Sequence, residues 1–510
     1  MLQVNSTNVH YTQKYITAKY RFSRSNITQT KSGVYTATPT SHDYIFRTER
    51  NVRRTGVMLV GWGGNNGTTV TAGILANKKK LTWRTKNGQK SANYWGSLTQ
   101  ASTIRVGMDN NNNEVYLPFS TVLPMLHPND IVVGGWDINR NNLATAMKNA
   151  AVLPVVLQEQ LYQDMKKLVP LPGIYYKDFI ARNQESRANN TLSGTKAEHL
   201  AKIREDIRYF KKKNKLERVI VFWTGNTERF SAIQPGLNMT SDEVLLSIKQ
   251  NKDEVAPSLV YATAAVLENC SYINGSPQNT LVPGLVQLAK EHNVFVAGDD
   301  LKSGQTKLKS VLVDFLVSAG IKPQSIVSYN HLGNNDGYNL QAEAQFQSKK
   351  ITKSNVVDDM VNANRILYSE GEHPDHEVVI KYVPFVKDSK RAMDEYISSI
   401  FLNGLSTIVI HNTCEDSLLA APLIYDLVIL TELFERIEYA TDAGENFQRV
   451  DTMLSVLGYL FKAPFVPQGT PLVNVLTKQR RCITNILLAC LGLPPDTDMI
   501  LHCKAPRSVI

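Results

Sequence analysis

The chain has 510 residues, room for about three domains, and 43% of them are apolar against 20% charged, which excludes a disordered or fibrous protein. Lys and Arg outnumber Asp and Glu by 56 − 46 = 10, a balance that favours anionic partners without choosing among nucleic acid, acidic lipid and phosphorylated metabolites. The five cysteines (Cys270, Cys414, Cys482, Cys490 and Cys503) form no C-x-x-C pair, so neither a disulfide framework nor a zinc ribbon is supported, and a reducing, cytoplasmic setting is expected.

Residues 1–50 are rich in Thr, Tyr and Ser with little helical period, and read as an extended β segment packed on the body. Residues 1–17 lack the apolar core of a signal peptide. Seven short β-branched runs follow, at 57–60, 131–133, 219–223, 294–297, 326–329, 378–382 and 407–410, alternating with longer helical patterns. That alternation predicts an α/β fold with a parallel sheet and crossover helices. Most runs end in a polar or glycine-rich loop (GWGGNNG, GGWD, TGNTE, GDDLKSGQT, NHLGNNDG, HNTCEDS), where an open α/β sheet places its ligands. The lysine runs at 78–80 and 211–213 follow helical patterns and suit helix C-termini, and no interleaved aromatics point to nucleic acid. The apolar stretch 418–430 is interrupted by Pro422 and Asp426 and is shorter than the ~20 residues of a membrane span, so no membrane partner is expected.

The first strong strand runs into Gly61-Trp62-Gly63-Gly64-Asn65-Asn66-Gly67-Thr68-Thr69, a glycine turn and a helix start. Such a turn lets backbone approach a pyrophosphate and offers it free amides, although the sixth position of G-x-G-x-x-G is Asn66 and a plain tight turn is the alternative. The acidic ribose ligand normally found about 20 residues on is missing; Arg84 and Lys86 there hint at a 2′-phosphate. Asp137, closing GGWD, offers another carboxylate for the ribose, or else caps a helix over 139–151. Asp299-Asp300-Leu301-Lys302-Ser303-Gly304-Gln305-Thr306-Lys307 is a second anion site or a plain cap, with Ser303 and Thr306 opening a helix that runs to Ala319 and stops at Gly320. Lys349 and Lys353 stand four apart; Asp388-Ser389-Lys390, Glu415-Asp416-Ser417 and Lys478-Gln479-Arg480 come later. A lysine is a poor base until burial or other cations lower its pKa from ~10.4. Each fits an exposed surface position alone, and only convergence would make them catalytic. No His/Asp spacing for a metal is evident.

Taken together, GWGGNNGTT (61–69), GGWDI (134–138), NGSPQNT (274–280), GDDLKSGQTK (298–307), SYNHLGNNDGYNL (328–340), DSKRAMDEY (388–396) and CEDSLLAAPL (414–423) resemble the myo-inositol-1-phosphate synthase family over almost the whole chain beyond residue 50. The resemblance implies an isomerase that cyclises glucose 6-phosphate to inositol phosphate. It oxidises C5 with NAD, removes a C6 proton, joins C6 to the C1 aldehyde and reduces C5 again. It places Gly63, Gly64, Asn65, Asn66, Asp137, Thr227, Asp300, Asn335, Asp336, Asp416 and Ser417 at the cofactor. Ser303, Gly304, Gln305, Asn334 and Lys353 would bind substrate, and Lys349, Lys390, Lys478 and Asp300 would carry the proton transfers and stabilise oxyanions. A monovalent cation (ammonium or potassium) and a homo-oligomer, a tetramer, are implied as well. The fold implied is a doubly wound Rossmann-like NAD domain over 51–306 and 419–500, interrupted by an α/β catalytic and oligomerisation domain at 307–418, with a tail at 501–510.

Two positions depart from the family's common residues: Gly225 stands where Ala is usual, loosening a strand end, and Thr477 where Asn is usual, which would displace Lys478. Rival readings are an NAD(P)-dependent dehydrogenase of a sugar phosphate, a lysine Schiff-base aldolase and a basic binding protein. The first leaves the lysines idle, the second leaves the nucleotide turn idle, and the third ignores the dispersal of the charges.

Overall fold

The run Thr55–Val60 is buried along its whole length, as a strand covered on both faces requires. It sits at the middle of a six-stranded sheet in a computed structural model that describes residues 2–497 apart from 112, 442–445 and 463, and without the side chains of 352–355. The sheet order is Leu171–Pro172, Val132–Asp137, Thr55–Val60, Arg218–Trp223, Ser271–Asn274, Val296–Ala297, with every neighbour parallel. Numbered along the chain that order is 3-2-1-4-5-6, the doubly wound arrangement. The order in which the chain adds strands reverses between the parallel neighbours Thr55–Val60 and Arg218–Trp223, so a crevice opens beyond Val60 and Trp223.

A strand forms at each of the seven expected runs, but they divide between two sheets. Lys322–Leu332, Asp375–Tyr382 and Leu405–Glu415 belong, with Ser389–Ser399, to a separate four-stranded sheet. Lys322–Leu332 pairs parallel with Asp375–Tyr382 and antiparallel with Ser389–Ser399, which pairs antiparallel with Leu405–Glu415. One face of this sheet is buried at Ile326, Ser328, Asn330, Asp394 and Tyr396, while Tyr329 and Val409 on the other face are 47% and 65% exposed. Two central-sheet strands, Leu171–Pro172 and Ser271–Asn274, went unexpected because two to four residues carry too little pattern.

Helix Asn65–Lys78 starts directly after Gly64 with no side-chain cap and no acidic residue in its first turn. Its first amides are therefore left for an anion. Its buried threonines satisfy themselves locally: Thr68, Thr69 and Thr71 donate to the carbonyls of Gly64, Asn65 and Gly67 at 2.8, 2.7 and 2.8 Å. The Asn66 departure is resolved by the next residue: a Cβ on Gly67 would lie 2.3 Å from the Trp62 carbonyl oxygen, so Gly67 provides the close helix packing that a third glycine gives. Gly61 has φ +87°, and a Cβ there would meet the Gly225 Cα at 2.6 Å.

Against helix Asn65–Lys78 packs Asp416–Phe434, whose Tyr425 hydroxyl donates to the Val70 carbonyl at 2.7 Å. At 19 residues, with a mean hydropathy of 1.7 over an 18-residue stretch, this helix is longer than the sequence pattern indicated and apolar enough to cross a membrane, but 89% of that stretch is buried inside the protein. It is a core helix. Within the expected N-terminal β segment a long hairpin forms, Tyr15–Gln29 against Tyr35–Glu49, extended by Ile437–Thr441. The lysine runs close helices Asn65–Lys78 and Lys196–Lys213 as expected.

The glycines make a paired prediction. Gly67→Ala should lose about 1–3 kcal/mol of stability. Gly225→Ala, whose Cβ would find its nearest neighbours at an ordinary 3.5 Å, should gain about 0.4–1 kcal/mol. Unfolding midpoints that move together, or a tolerated Gly67→Ala, contradict this reading of the turn.

Candidate active site

Beyond the carboxyl end of the central sheet lies a cleft of about 510 Å³, within the range of small-molecule sites. The loop from Gly61 to Asn66 forms one wall. Asp137, at the end of its strand, accepts from the Gly63 amide at Oδ2 (2.9 Å) and from the Asn139 amide at Oδ1 (2.8 Å). Burial pushes its pKa up, while Arg187 and those two amides oppose the shift. Asp137 is not a helix cap: the helix begins later, at Leu143–Ala150, and its cap is Asn142, which accepts from the Thr145 amide at 3.0 Å. Arg84 and Lys86 are exposed, Arg84 on the small hairpin strand Thr82–Thr85, and neither lines the cleft. The 2′-phosphate hint therefore falls.

The residues present fit a dinucleotide. A Cβ on Gly63 would come within 3.1 Å of Asp137 Oδ2, so only bare backbone leaves this cradle open. Asn226 lines the cleft, and its buried Nδ2 has no partner among the described residues, a donor free for a ligand.

The opposite wall is charged and comes from both sheets. Asp300 follows the sixth central strand at φ +34°, an uncommon conformation for a residue with a side chain. Its Oδ2 meets Lys349 Nζ at 3.4 Å, from helix Glu343–Ser354, and Lys462 Nζ at 2.6 Å. Lys390, at the start of Ser389–Ser399, has its Nζ 3.6 Å from Asp416 Oδ1. Burial works against the charge on Lys349, but Asp300, Asp336 and Asp416 outweigh it and hold its pKa above the ordinary lysine value. Asp416 is pushed up by burial, yet Lys390, Lys349 and Lys462 together hold it below the usual carboxylate range. For Lys462 burial dominates, with help from Lys349 and Lys390, and its pKa falls to about 8 despite Asp300.

Thus Gly63, Gly64, Asn65, Asn66, Asp137, Asp300, Ser303, Asn334, Asn335, Asp336, Lys349, Lys390, Asp416 and Ser417 line one cleft. Thr227 stands behind it, fully buried, and orients Asp336 by donating from its amide (2.8 Å) and hydroxyl (3.1 Å). Asn334 caps the short helix Asn335–Asn339. Ser303 occupies the cap position of helix Gly304–Ser318 without a side-chain cap bond, Gly304 is that helix's first residue, and Gln305 is buried and donates to Asn330 Oδ1 at 2.5 Å. The side chain of Lys353 lies outside the described residues.

Lys478 is a correction. It is exposed on helix Leu476–Ala489, does not line the cleft, and has Asp314 as a neighbouring carboxylate. The helix buries Gln479, and a one-residue step turns Lys478 away by ~100°. Sequence reasoning missed Lys462, although a single charge inside Leu460-Phe461-Lys462-Ala463-Pro464 was a usable signal, since a lone charge in an apolar run needs a partner. Asp388 was also undervalued: it accepts from Asn65 Nδ2 (3.1 Å), the Ser417 hydroxyl (2.7 Å) and the Ser417 amide (2.9 Å).

A family model described as myo-inositol-1-phosphate synthase matches residues 55–488. The chain is similar to inositol-3-phosphate synthase of Dictyostelium discoideum, 57% identical over 98% of both chains, and to human inositol-3-phosphate synthase 1, 56% identical over 99% of this chain and 90% of the human one. Among solved structures it resembles inositol-3-phosphate synthase from Caenorhabditis elegans with a TM-score of 0.97 and 53% identity, covering 99% of this chain and 98% of that one. A related protein from Thermotoga maritima shares the fold, with a TM-score of 0.62 at 20% identity over 87% of this chain and 99% of that one.

Asp137→Ala should weaken NAD binding about 10- to 100-fold, the loss of a charge-assisted hydrogen bond of about 1.5–3 kcal/mol, and cost about 1–3 kcal/mol of stability because the Gly63 and Asn139 amides lose their acceptor. A fluorescence titration giving the parental dissociation constant would reject the ribose assignment.

Proposed function

Because this chain belongs to the myo-inositol-1-phosphate synthase family, we infer that it is an NAD-using isomerase of inositol biosynthesis that converts D-glucose 6-phosphate to 1D-myo-inositol 3-phosphate. The observation that carries the reading is one cleft in which a nucleotide-type glycine turn faces buried lysines paired to carboxylates. Bound there, NAD supplies a reversible oxidation at C5 with no net redox change. Gly63, Gly64, Asn65, Asn66 and Asp137 would hold it on one wall; Asn335, Asp336, Asp416 and Ser417 would complete its site, with Thr227 orienting Asp336 from behind.

The oxidised C5 acidifies the C6 protons, so the remaining work is to move a proton and to steady negative charge. Lys349 and Lys390, fixed by Asp300 and Asp416, do this as oriented cations around an enolate and then around the alkoxide formed at C1. Ser303 and Asn334, which line the cleft, and the amides opening helix Gly304–Ser318 would hold the sugar phosphate, and family likeness adds Gln305 and Lys353. A dehydrogenase of a sugar phosphate is not favoured, since Arg84 is outside the cleft and the lysines would have no task.

A homo-oligomer, a tetramer, belongs to the same proposal. Two features support it: the exposed face of the four-stranded sheet, and the hairpin residues 21–39, which are exposed throughout and carry Ile27, Val34 and Tyr35 outward. An isolated two-stranded ribbon is marginal in water and gains from a second copy. The free cysteines Cys270, Cys414, Cys482 and Cys490 suit the cytoplasm. A monovalent cation such as ammonium or potassium, and a supply of inositol to phospholipid synthesis, are proposed on family likeness.

Incubated with glucose 6-phosphate and NAD, the protein should release inositol phosphate without accumulating NADH; stoichiometric NADH would instead favour the dehydrogenase. Lys349→Ala and Lys390→Ala should each reduce turnover at least about 100-fold with NAD affinity nearly intact, and near-parental product from either variant removes its role.

A further inference from the structure

Lys307 closes the polar run 299–307 yet takes no part in the cleft. It lines a separate cavity of about 190 Å³, with Ser97, Ser102, Asp426, Tyr459 and Leu460 among its walls, and no residue lines both spaces. The Lys307 ammonium lies over the Tyr459 ring at 4.3 Å and, among the described residues, makes neither a hydrogen bond nor an ion pair. Three N–H donors therefore stand at a cavity without an acceptor. Burial pulls the Lys307 pKa down to about 8, and Asp426 only partly opposes this.

The other walls add donors. The Ser102 oxygen accepts from the Arg480 guanidinium at 3.2 Å, which leaves its hydroxyl hydrogen to donate. The Tyr459 hydroxyl has no hydrogen-bond partner among the described residues, and Arg480 adds positive charge beside it. Asp426 is the one acid on the lining, and it is already satisfied: Oδ1 accepts from the Ser97 hydroxyl (2.6 Å) and the Thr99 hydroxyl and amide (2.7 and 2.9 Å), Oδ2 from the Leu98 amide (2.5 Å). Burial also pushes the Asp426 pKa up, which lessens its negative charge. What the cavity lacks is an acceptor of negative charge. A volume below the ~300 Å³ of a drug-sized site suits a single tetrahedral group and excludes a nucleotide.

We propose that this cavity is a second anion site, taking inorganic phosphate or the phosphate group of a monoester, and that its occupancy weakens substrate binding in the cleft. The site goes beyond the isomerase reading; only the coupling rests on that reading. Two segments connect the spaces. Lys307 stands on helix Gly304–Ser318, ~6 Å of axial rise beyond Ser303, where the sugar phosphate would sit. On the other wall the Leu460 carbonyl accepts from the Lys302 amide at 2.9 Å, and two residues on the Lys462 amide donates to the Asp300 carbonyl at 3.0 Å. An anion against Lys307 cancels a positive charge that otherwise attracts the substrate phosphate one helical turn away. The coupling is therefore negative, and each anion weakens the other.

The test is calorimetric titration of the NAD-loaded protein with inorganic phosphate in the parent, Lys307→Met and Ser102→Asp, with unfolding midpoints as a control. The parent should bind two phosphates per chain, one in the cleft and one beside Lys307. Lys307→Met removes the ammonium and Ser102→Asp sets a carboxylate among the donors, so each should bind one. Both variants also mimic the occupied state: the KM for glucose 6-phosphate, measured without phosphate, should rise about 3- to 10-fold with kcat unchanged. Two phosphates in either folded variant would overturn the site, and a parental KM in both would overturn the coupling. A parent that binds a single phosphate decides against the site even if neither variant folds. A parent that binds two phosphates but makes no inositol phosphate would refute the isomerase reading and leave the site standing.

Discussion

Charge burial governs this molecule. Moving an ammonium out of water costs several kcal/mol unless a carboxylate offsets it, and three of the lysines that line the cleft, Lys349, Lys390 and Lys462, are largely buried. Asp300 and Asp416 make that arrangement possible: one carboxylate oxygen holds Lys349 and Lys462, and the other acid holds Lys390. Each carboxylate is in turn fixed by its place in the fold, Asp300 at the end of the central sheet and Asp416 at the start of the longest core helix. The pairing also differentiates the lysines: burial pulls both pKa values down, but three acids outweigh it at Lys349 while two neighbouring cations add to it at Lys462.

The same logic explains why two sheets are needed. The doubly wound sheet provides a glycine turn and Asp137, with backbone amides aimed at phosphate. It provides no lysine base. The four-stranded sheet and helix Glu343–Ser354 bring Lys349 and Lys390 to the crevice where the central sheet changes direction. Asp388 joins the two units: it accepts from Asn65 of the nucleotide turn and from Ser417, while its carbonyl receives the Asp416 and Lys390 amides at 3.0 and 2.9 Å. Cofactor wall and lysine wall are therefore coupled through a single buried carboxylate, whose pKa burial and Asp416 push up.

Strands and strand-end loops were legible because glycine turns and β-branched runs act locally. GDDLKSGQTK stated its helix start correctly, and Gly320 does end that helix turn with φ +76°. Partner choice was not legible from the runs themselves: nothing in 326–329, 378–382 and 407–410 says that they leave the central sheet, since both sheets ask for the same side chains, and only the family resemblance assigned 307–418 to a separate unit. Helix facing misled in the case of Lys478, where a one-residue step decides between cleft and solvent. Lys462 left only a lone charge in an apolar run as its signal, because its partner, Asp300, lies 162 residues away and a pairing of that separation adds nothing local. Motif reading finds the residues that loops present; it misses those that only tertiary packing delivers.

The central claim is that both walls act on one sugar within one cleft, so that what C5 gives up it receives back. Turnover of glucose 6-phosphate carrying deuterium at C5, in the presence of a large excess of unlabelled NADH, measures this directly. The account predicts inositol phosphate that retains its deuterium at the corresponding carbon. Product from which the label has been lost to the free cofactor would contradict it.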